Sequence, residues 1–201
     1  MKEEIIIKAM EMFLTYGFKS ITMDDLANEM GISKKTIYTH FRNKTQLVEE
    51  GALYLYERIS EGIQEILAKN LNPIEELYDI KKFVMQFLKN EKTAPQYQLH
   101  KYYPQVHEML QKKQFEVMQE CVADNVRRGI AMGIYRANLN VDFVSRIYFA
   151  CGGVIKDQRL FPIEKFPIAR LMDDYLEYHL RGIVTPEGRK ILNNIINSNH
   201  E

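Results

Sequence analysis

Apolar residues recur along most of this chain at intervals of three and four, and glycine or proline interrupts them repeatedly, which predicts a succession of amphipathic helices. Ile6, Ala9, Met10, Phe13 and Leu14 mark one face of a first helix that stops at Gly17. In "TMDD", Thr22 stands three residues before Asp25, an approximation to a capping box that also places a carboxylate at the positive helix end. Leu26, Ala27 and Met30 give this second helix its apolar face, and Gly31 ends it. Ser33 caps a third helix to about residue 40. Asn43, with Gln46 three residues on, opens a fourth to about residue 69.

Pro73 begins a fifth helix to about residue 88. Its two apolar stripes (Ile74, Leu77, Val84 and Leu88; Ile80, Phe83 and Phe87) predict cover on more than one side. A short piece from about Ala94 to Tyr102 and a long helix from Pro104 to Ala131 follow. Two amphipathic helices over about 141–158 and 168–183, and a last one after Pro186, complete the chain. No period-two pattern indicates a strand. The fold class is all-α: a three-helix helix-turn-helix head over residues 1–45 and a larger helical domain over 46–201.

Charge sharpens this picture locally. The chain has 27 basic and 27 acidic residues, so nothing global points to nucleic acid or membrane. Yet Lys34, Lys35, Arg42 and Lys44 fall within fourteen residues without one acid among them. A neutral body with one basic element is what a confined polyanion footprint looks like. The two cysteines, Cys121 and Cys151, form no CxxC, which argues against a disulfide framework or a structural zinc site. No apolar run approaches the ~18 residues a membrane helix needs, and a reducing cytoplasm is the expected compartment.

At about 100° per residue, Ile37 and Phe41 share the core side of the third helix. Lys35 and Thr39 then point away from it, with Thr36 and Tyr38 on the flanks. Lysine reaches guanine acceptors, threonine can donate or offer its methyl group to thymine, and tyrosine can bond a phosphate. Lys44 opens the fourth helix, where its charge opposes the helix dipole; a phosphate contact would account for that placement.

The run "TMDDLANEMGISKKTIYTHFRNKTQLV" resembles the DNA-binding segment of TetR-family transcriptional regulators, with Gly31, Ile32, Ser33, Lys34, Ile37, Tyr38, His40, Phe41, Lys44 and Leu47 in register. "LRGIVTPEGR", Leu180 to Arg189, is similar to the ending of that family's last core helix. The resemblance implies a DNA-binding set of Thr22, Ser33, Lys34, Lys35, Thr36, Tyr38, Thr39, His40 and Lys44. Within it Lys35, Thr36 and Thr39 are expected to read bases, and Tyr38, His40, Lys44 and Thr22 to touch phosphates. Packing against the first helix is the competing role for Tyr38, and a helix-terminal polar contact the competing role for His40. Lys35 occupies a position that is often glycine or another small residue in the family.

The resemblance further implies a homodimer built from the last two amphipathic helices, through Val144, Ile147, Tyr148, Cys151 and Ile155 on one and Leu171, Met172, Tyr175, Leu176 and His179 on the other. Two recognition helices about 34–36 Å apart would then read a near-palindromic site. The aromatic middle of the chain offers Phe83, Phe87, Tyr97, His100, Tyr103, His107, Phe115 and Met118 for an apolar effector cavity, suited to a small apolar or weakly polar molecule. The expected protein is a regulator, most simply a repressor released by that ligand. Its partners are double-stranded DNA, its own copy and the effector, with no cofactor, no metal and no membrane. The alternatives are an effector-independent DNA-binding protein and a metal-responsive regulator using His100, His107, Cys121 or Cys151. No catalytic constellation points to an enzyme.

Overall fold

The computed structural model describes residues 1–88 and 95–198. Among them are ten helices: α1 (Lys2–Tyr16), α2 (Met23–Met30), α3 (Lys34–Tyr38), α4 (Lys44–Leu67), α5 (Pro73–Leu88), α6 (Pro95–Tyr102), α7 (Pro104–Ala131), α8 (Val141–Val154), α9 (Ile168–Ile183) and α10 (Pro186–Ser198). The one β feature among the described residues is an isolated antiparallel bridge between Tyr135 and Val184. No described helix is long and apolar enough to cross a membrane.

Three boundaries differ from the periodicity. α8 stops at Val154 rather than near residue 158, where Gly152 and Gly153 each weaken a helix by about 1 kcal/mol relative to alanine. α3 ends at Tyr38 and α4 at Leu67, each two residues early, because short turns take over at 39–40 and 68–69. The start expected for α6 at Ala94 lies outside the described residues.

The chain divides into two compact units, Met1–Glu61 with Phe87–Lys112, and Gly62–Gln86 with Lys113–Glu201. The first is centred on Ile5, Ala9, Phe13, Phe18, Leu26, Ile37, Phe41 and Leu47, all nearly inaccessible to solvent. Val106 and Leu110 of α7 join this core, so the compact unit is larger than a head of 45 residues. In the second unit Ile74, Tyr135, Leu176, Leu180 and Leu192 form a separate apolar centre. Gly62 of α4 lets the Phe83 ring lie where a β-carbon would otherwise be.

Candidate nucleic-acid interface

The head positions α3 through a sequence of local caps. Thr22 Oγ1 accepts from the Asp25 amide at 3.1 Å, while Asp25 Oδ2 accepts from the Thr22 amide at 2.8 Å, a complete capping box. The Thr22 hydroxyl, 2.7 Å from Asp25 Oδ2, and secondly the Thr22 amide donate to the Asp25 carboxylate and hold it below the usual carboxylate range. Gly31 closes α2 in the left-handed region at φ 64°, which a residue with a β-carbon would adopt only under strain. Ser33 Oγ then accepts from the Thr36 amide at 3.0 Å to start α3. One helix thus ends at Gly31, and the next begins on the Ser33 cap.

Ile37 and Phe41 have no exposed surface, and this anchors one side of α3 in the core. The opposite side is open: Lys35 and Thr39 are exposed, as is Tyr38 at 44%. Tyr38 is therefore not absorbed into packing against α1. Thr36 is half-buried, with Oγ1 2.8 Å from Ser33 Oγ, and Thr39 Oγ1 donates to the Thr36 carbonyl at 2.6 Å. Both hydroxyls are thus engaged within the helix. Half-buried His40 lies with its ring 6.3 Å from that of Phe41.

The four clustered cations are not equivalent. Lys34 Nζ pairs with Asp24 Oδ2 at 2.6 Å, and this hydrogen bond raises its pKa. Lys44 is half-buried, 5.6 Å from the Phe13 ring centroid, and burial pulls its pKa down while the Asp25 charge opposes that shift. Lys35 and Arg42 are exposed, and among the described residues neither side chain has an ion-pair partner. Arg42 was not among the residues expected from the sequence, although it belongs to the same acid-free run. Its amide donates to Gln46 Oε1 at 2.8 Å, while Asn43 Oδ1 accepts from the Gln46 amide at 2.9 Å, fixing the chain where α4 starts.

Residues 5–50 match the family model for bacterial regulatory proteins of the tetR family. The chain is also 28% identical over 152 residues to the HTH-type transcriptional repressor KstR2 of Mycolicibacterium smegmatis, covering 72% of each protein. The head segment, residues 5–50, belongs to the tetR family of bacterial regulatory proteins. Solved relatives share the fold: the ketosteroid transcriptional regulator KstR2 of Mycobacterium tuberculosis superposes with a TM-score of 0.60 at 21% identity, over 92% of this chain and 95% of that one. A TetR-family regulator from Agrobacterium tumefaciens gives 0.72 at 19% identity, over 92% and 97%. With its tetR-type head and its likeness in sequence to a transcriptional repressor, the chain is a DNA-binding transcriptional regulator.

The residues expected to line an effector cavity are split between the two compact units. Phe87, Tyr97, His100, Tyr103 and His107 belong to the first, and Phe83, Phe115 and Met118 to the second. In the first, Tyr103 meets Phe18 edge-on at 6.2 Å and His107 meets His100 at 5.1 Å, whereas Tyr97 and His100 are exposed. In the second, Phe115 packs on Phe149 at 5.2 Å with the Arg146 guanidinium 5.5 Å from its ring. Met118 is half-buried nearby in sequence. No group of three or more histidine, cysteine or acidic residues capable of holding a metal ion occurs among the described residues.

The expected dimer residues are also divided, this time between inside and outside. Val144, Ile155, Leu171, Leu176 and His179 are buried within the single chain, and Tyr148, Cys151, Met172 and Tyr175 are half-buried. Tyr175 Oη donates to the Tyr148 carbonyl at 2.5 Å, and the His179 ring stands edge-on to Tyr148 at 4.9 Å. Burial pushes the Tyr148 hydroxyl up to about 12 and the His179 imidazole down to about 4. Only Ile147 of the expected set is exposed, at 41%. Phe143 and Val154, spaced four before and seven after it on α8, are exposed at 61% and 48%, as is Tyr178 of α9 at 82%. Helical spacing could have revealed that outward stripe, because positions 143, 147 and 154 recur on one face.

Proposed function

We propose that this protein is a repressor that binds a near-palindromic operator as a homodimer and leaves it when a small apolar or weakly polar effector binds. One observation carries the DNA-reading part: an acid-free α3 surface bearing Lys35, Tyr38 and Thr39 is held outward by fully buried Ile37 and Phe41. A rigid helix presenting donors and a thymine-sized methyl group is suited to the major groove. Lys35 and Thr39 read bases in this account. Tyr38, Thr22, His40 and Arg42 hold phosphates, and the functional head is residues 1–45.

The dimer reading rests on the outward stripe of Phe143, Ile147 and Val154 with Tyr178, apolar surface of the kind a second copy covers. Of the residues first expected at that interface, Val144, Ile155, Leu171, Leu176 and His179 are buried within the chain, while Tyr148, Cys151, Met172 and Tyr175 are half-buried and Ile147 lies in the stripe. Effector release works through α4 in this account, since its residues to Glu61 belong to the first unit and those from Gly62 to the second. A ligand that binds one tilt of α4 better shifts the population towards it, by no more than its differential affinity. Likeness to a protein described as a ketosteroid regulator supports an apolar effector with few polar groups.

The deciding experiment selects operators from random duplexes and then measures affinity at stated salt. Lys35→Ala is expected to cost about 1–3 kcal/mol on the selected site and to relax its sequence preference, whereas Arg42→Ala weakens all sequences alike. A purified chain that prefers no duplex over bulk competitor would remove the reading.

A further inference from the structure

The first compact unit carries a second cationic surface, at the turn between α1 and α2 and on the C-terminal half of α6. Lys19 Nζ lies 5.2 Å from the Tyr102 ring centroid, and Lys101 Nζ lies 5.6 Å from Tyr97 and 5.4 Å from Tyr102. Phenols and ammonium groups therefore alternate in a row: Tyr97, Lys101, Tyr102, Lys19. Both rings remain exposed, at 48% and 37%, as do both lysines.

Elsewhere in this unit Lys2, Lys8 and Lys34 are each neutralised by a carboxylate. Lys19 and Lys101 have no carboxylate partner among the described residues, only the Tyr102 ring for Lys19 and the rings and phenol oxygens of Tyr97 and Tyr102 for Lys101, and segments 17–23 and 95–107 contain no acid at all. The row is tied to the head. The Lys19 amide donates to Gln98 Oε1 of α6 at 3.4 Å, and the Gln98 amide group lies against Gly17. Three residues after Lys19, Thr22 caps the positive end of α2.

We infer that this row of two lysines and two tyrosines is a second contact to duplex DNA, gripping backbone phosphates in the flank outside the half-site that α3 reads. The inference rests on the DNA-binding reading given above. Ammonium groups are point charges suited to phosphate, and phenolic hydroxyls donate to phosphate oxygens. The row has no guanidinium or amide fork, so it adds affinity without sequence preference. Stacking on the rings holds the lysine heads in place before DNA arrives, which reduces the ordering lost on binding.

The test uses the full chain and the operator recovered by selection, as one duplex ending at its outer bases and another with about ten further base pairs, one helical turn, on each side. The wild type is expected to bind the long duplex roughly tenfold more tightly at low salt, with a salt slope steeper by about 0.9 per added phosphate contact. A Lys19→Gln and Lys101→Gln double variant should bind both lengths equally and keep its affinity for the short one. The corresponding double arginine variant should retain the long-duplex advantage, which separates lost charge from lost folding. Equal wild-type affinity for both lengths, or an advantage that survives neutralisation, overturns the flank contact while leaving α3 as the reader. A wild type that prefers no duplex overturns both.

Discussion

The two compact units differ in what they bury. In the first, buried side chains are apolar, and polar groups act at helix ends, as Thr22, Ser33 and Asn43 do. The second holds every buried polar or charged residue among those described: Glu76, Asn125, Ser145 and His179. Glu76 Oε1 accepts from Asn125 at 2.8 Å and from Arg128 at 2.6 Å, and the Tyr135 hydroxyl donates to Asn125 Oδ1 at 3.2 Å. The other Glu76 oxygen, Oε2, has no hydrogen-bond partner among the described residues. A reading head gains from an interior that permits one arrangement of α3, which close-packed apolar side chains provide. The second unit instead fixes its helices through directional bonds, and such bonds are sensitive to any change that leaves one member unmatched.

This contrast can be broken or sharpened by experiment. The largest expected effect is in the head, where Phe41→Ala removes a fully buried ring beneath α3 and should cost about 3–5 kcal/mol in denaturant unfolding, with operator binding lost as well. Next is acid sensitivity in the second unit. The His179 imidazole titrates at about 4 when folded and at 6.5 as a free side chain. Its neutral form is the one that burial favours, so the associated stability is complete above pH 6.5 and is lost as the pH falls towards 4. The loss should approach about 3 kcal/mol between those limits, and His179→Phe should remove that part of the pH dependence. Asn125→Ala leaves Glu76 and the Tyr135 hydroxyl short of partners and should cost about 1–3 kcal/mol. Smallest is Thr22→Ala, which opens the α2 cap for about 1 kcal/mol by thermal denaturation. If Asn125→Ala proved harmless while Thr22→Ala unfolded the chain, the contrast between the units would be reversed.

How much of this was legible in the sequence follows the same division. Thr22 with Asp25, Gly31, and Ile37 with Phe41 act over three to nine residues, so spacing alone gives their roles, and TetR-family likeness in the head agrees with them. Glu76 and Arg128 lie 52 positions apart, and neither stands out by periodicity. The apolar residues of α8 recur on more than one side, and spacing cannot say which side meets a partner. Val144 and Ile155 face inward whereas Phe143, Ile147 and Val154 face outward. Likewise the acid-free run could be counted in the sequence, but the diversion of Lys34 to Asp24 depends on how α3 meets α2, and that of Lys44 to Phe13 on how α4 meets α1.

The bridge between Lys34 and Asp24 has a consequence for any ion-counting measurement. If Lys34 turns to a phosphate, it displaces a condensed cation from the duplex, but it also abandons a carboxylate that must then attract a cation of its own. Release at one end is offset by uptake at the other, so this contact would leave the logarithmic dependence on electrolyte nearly flat. The number of phosphates touched, when deduced from titrations against potassium chloride, would fall one short for each bound chain. Asp24→Asn would restore the missing increment.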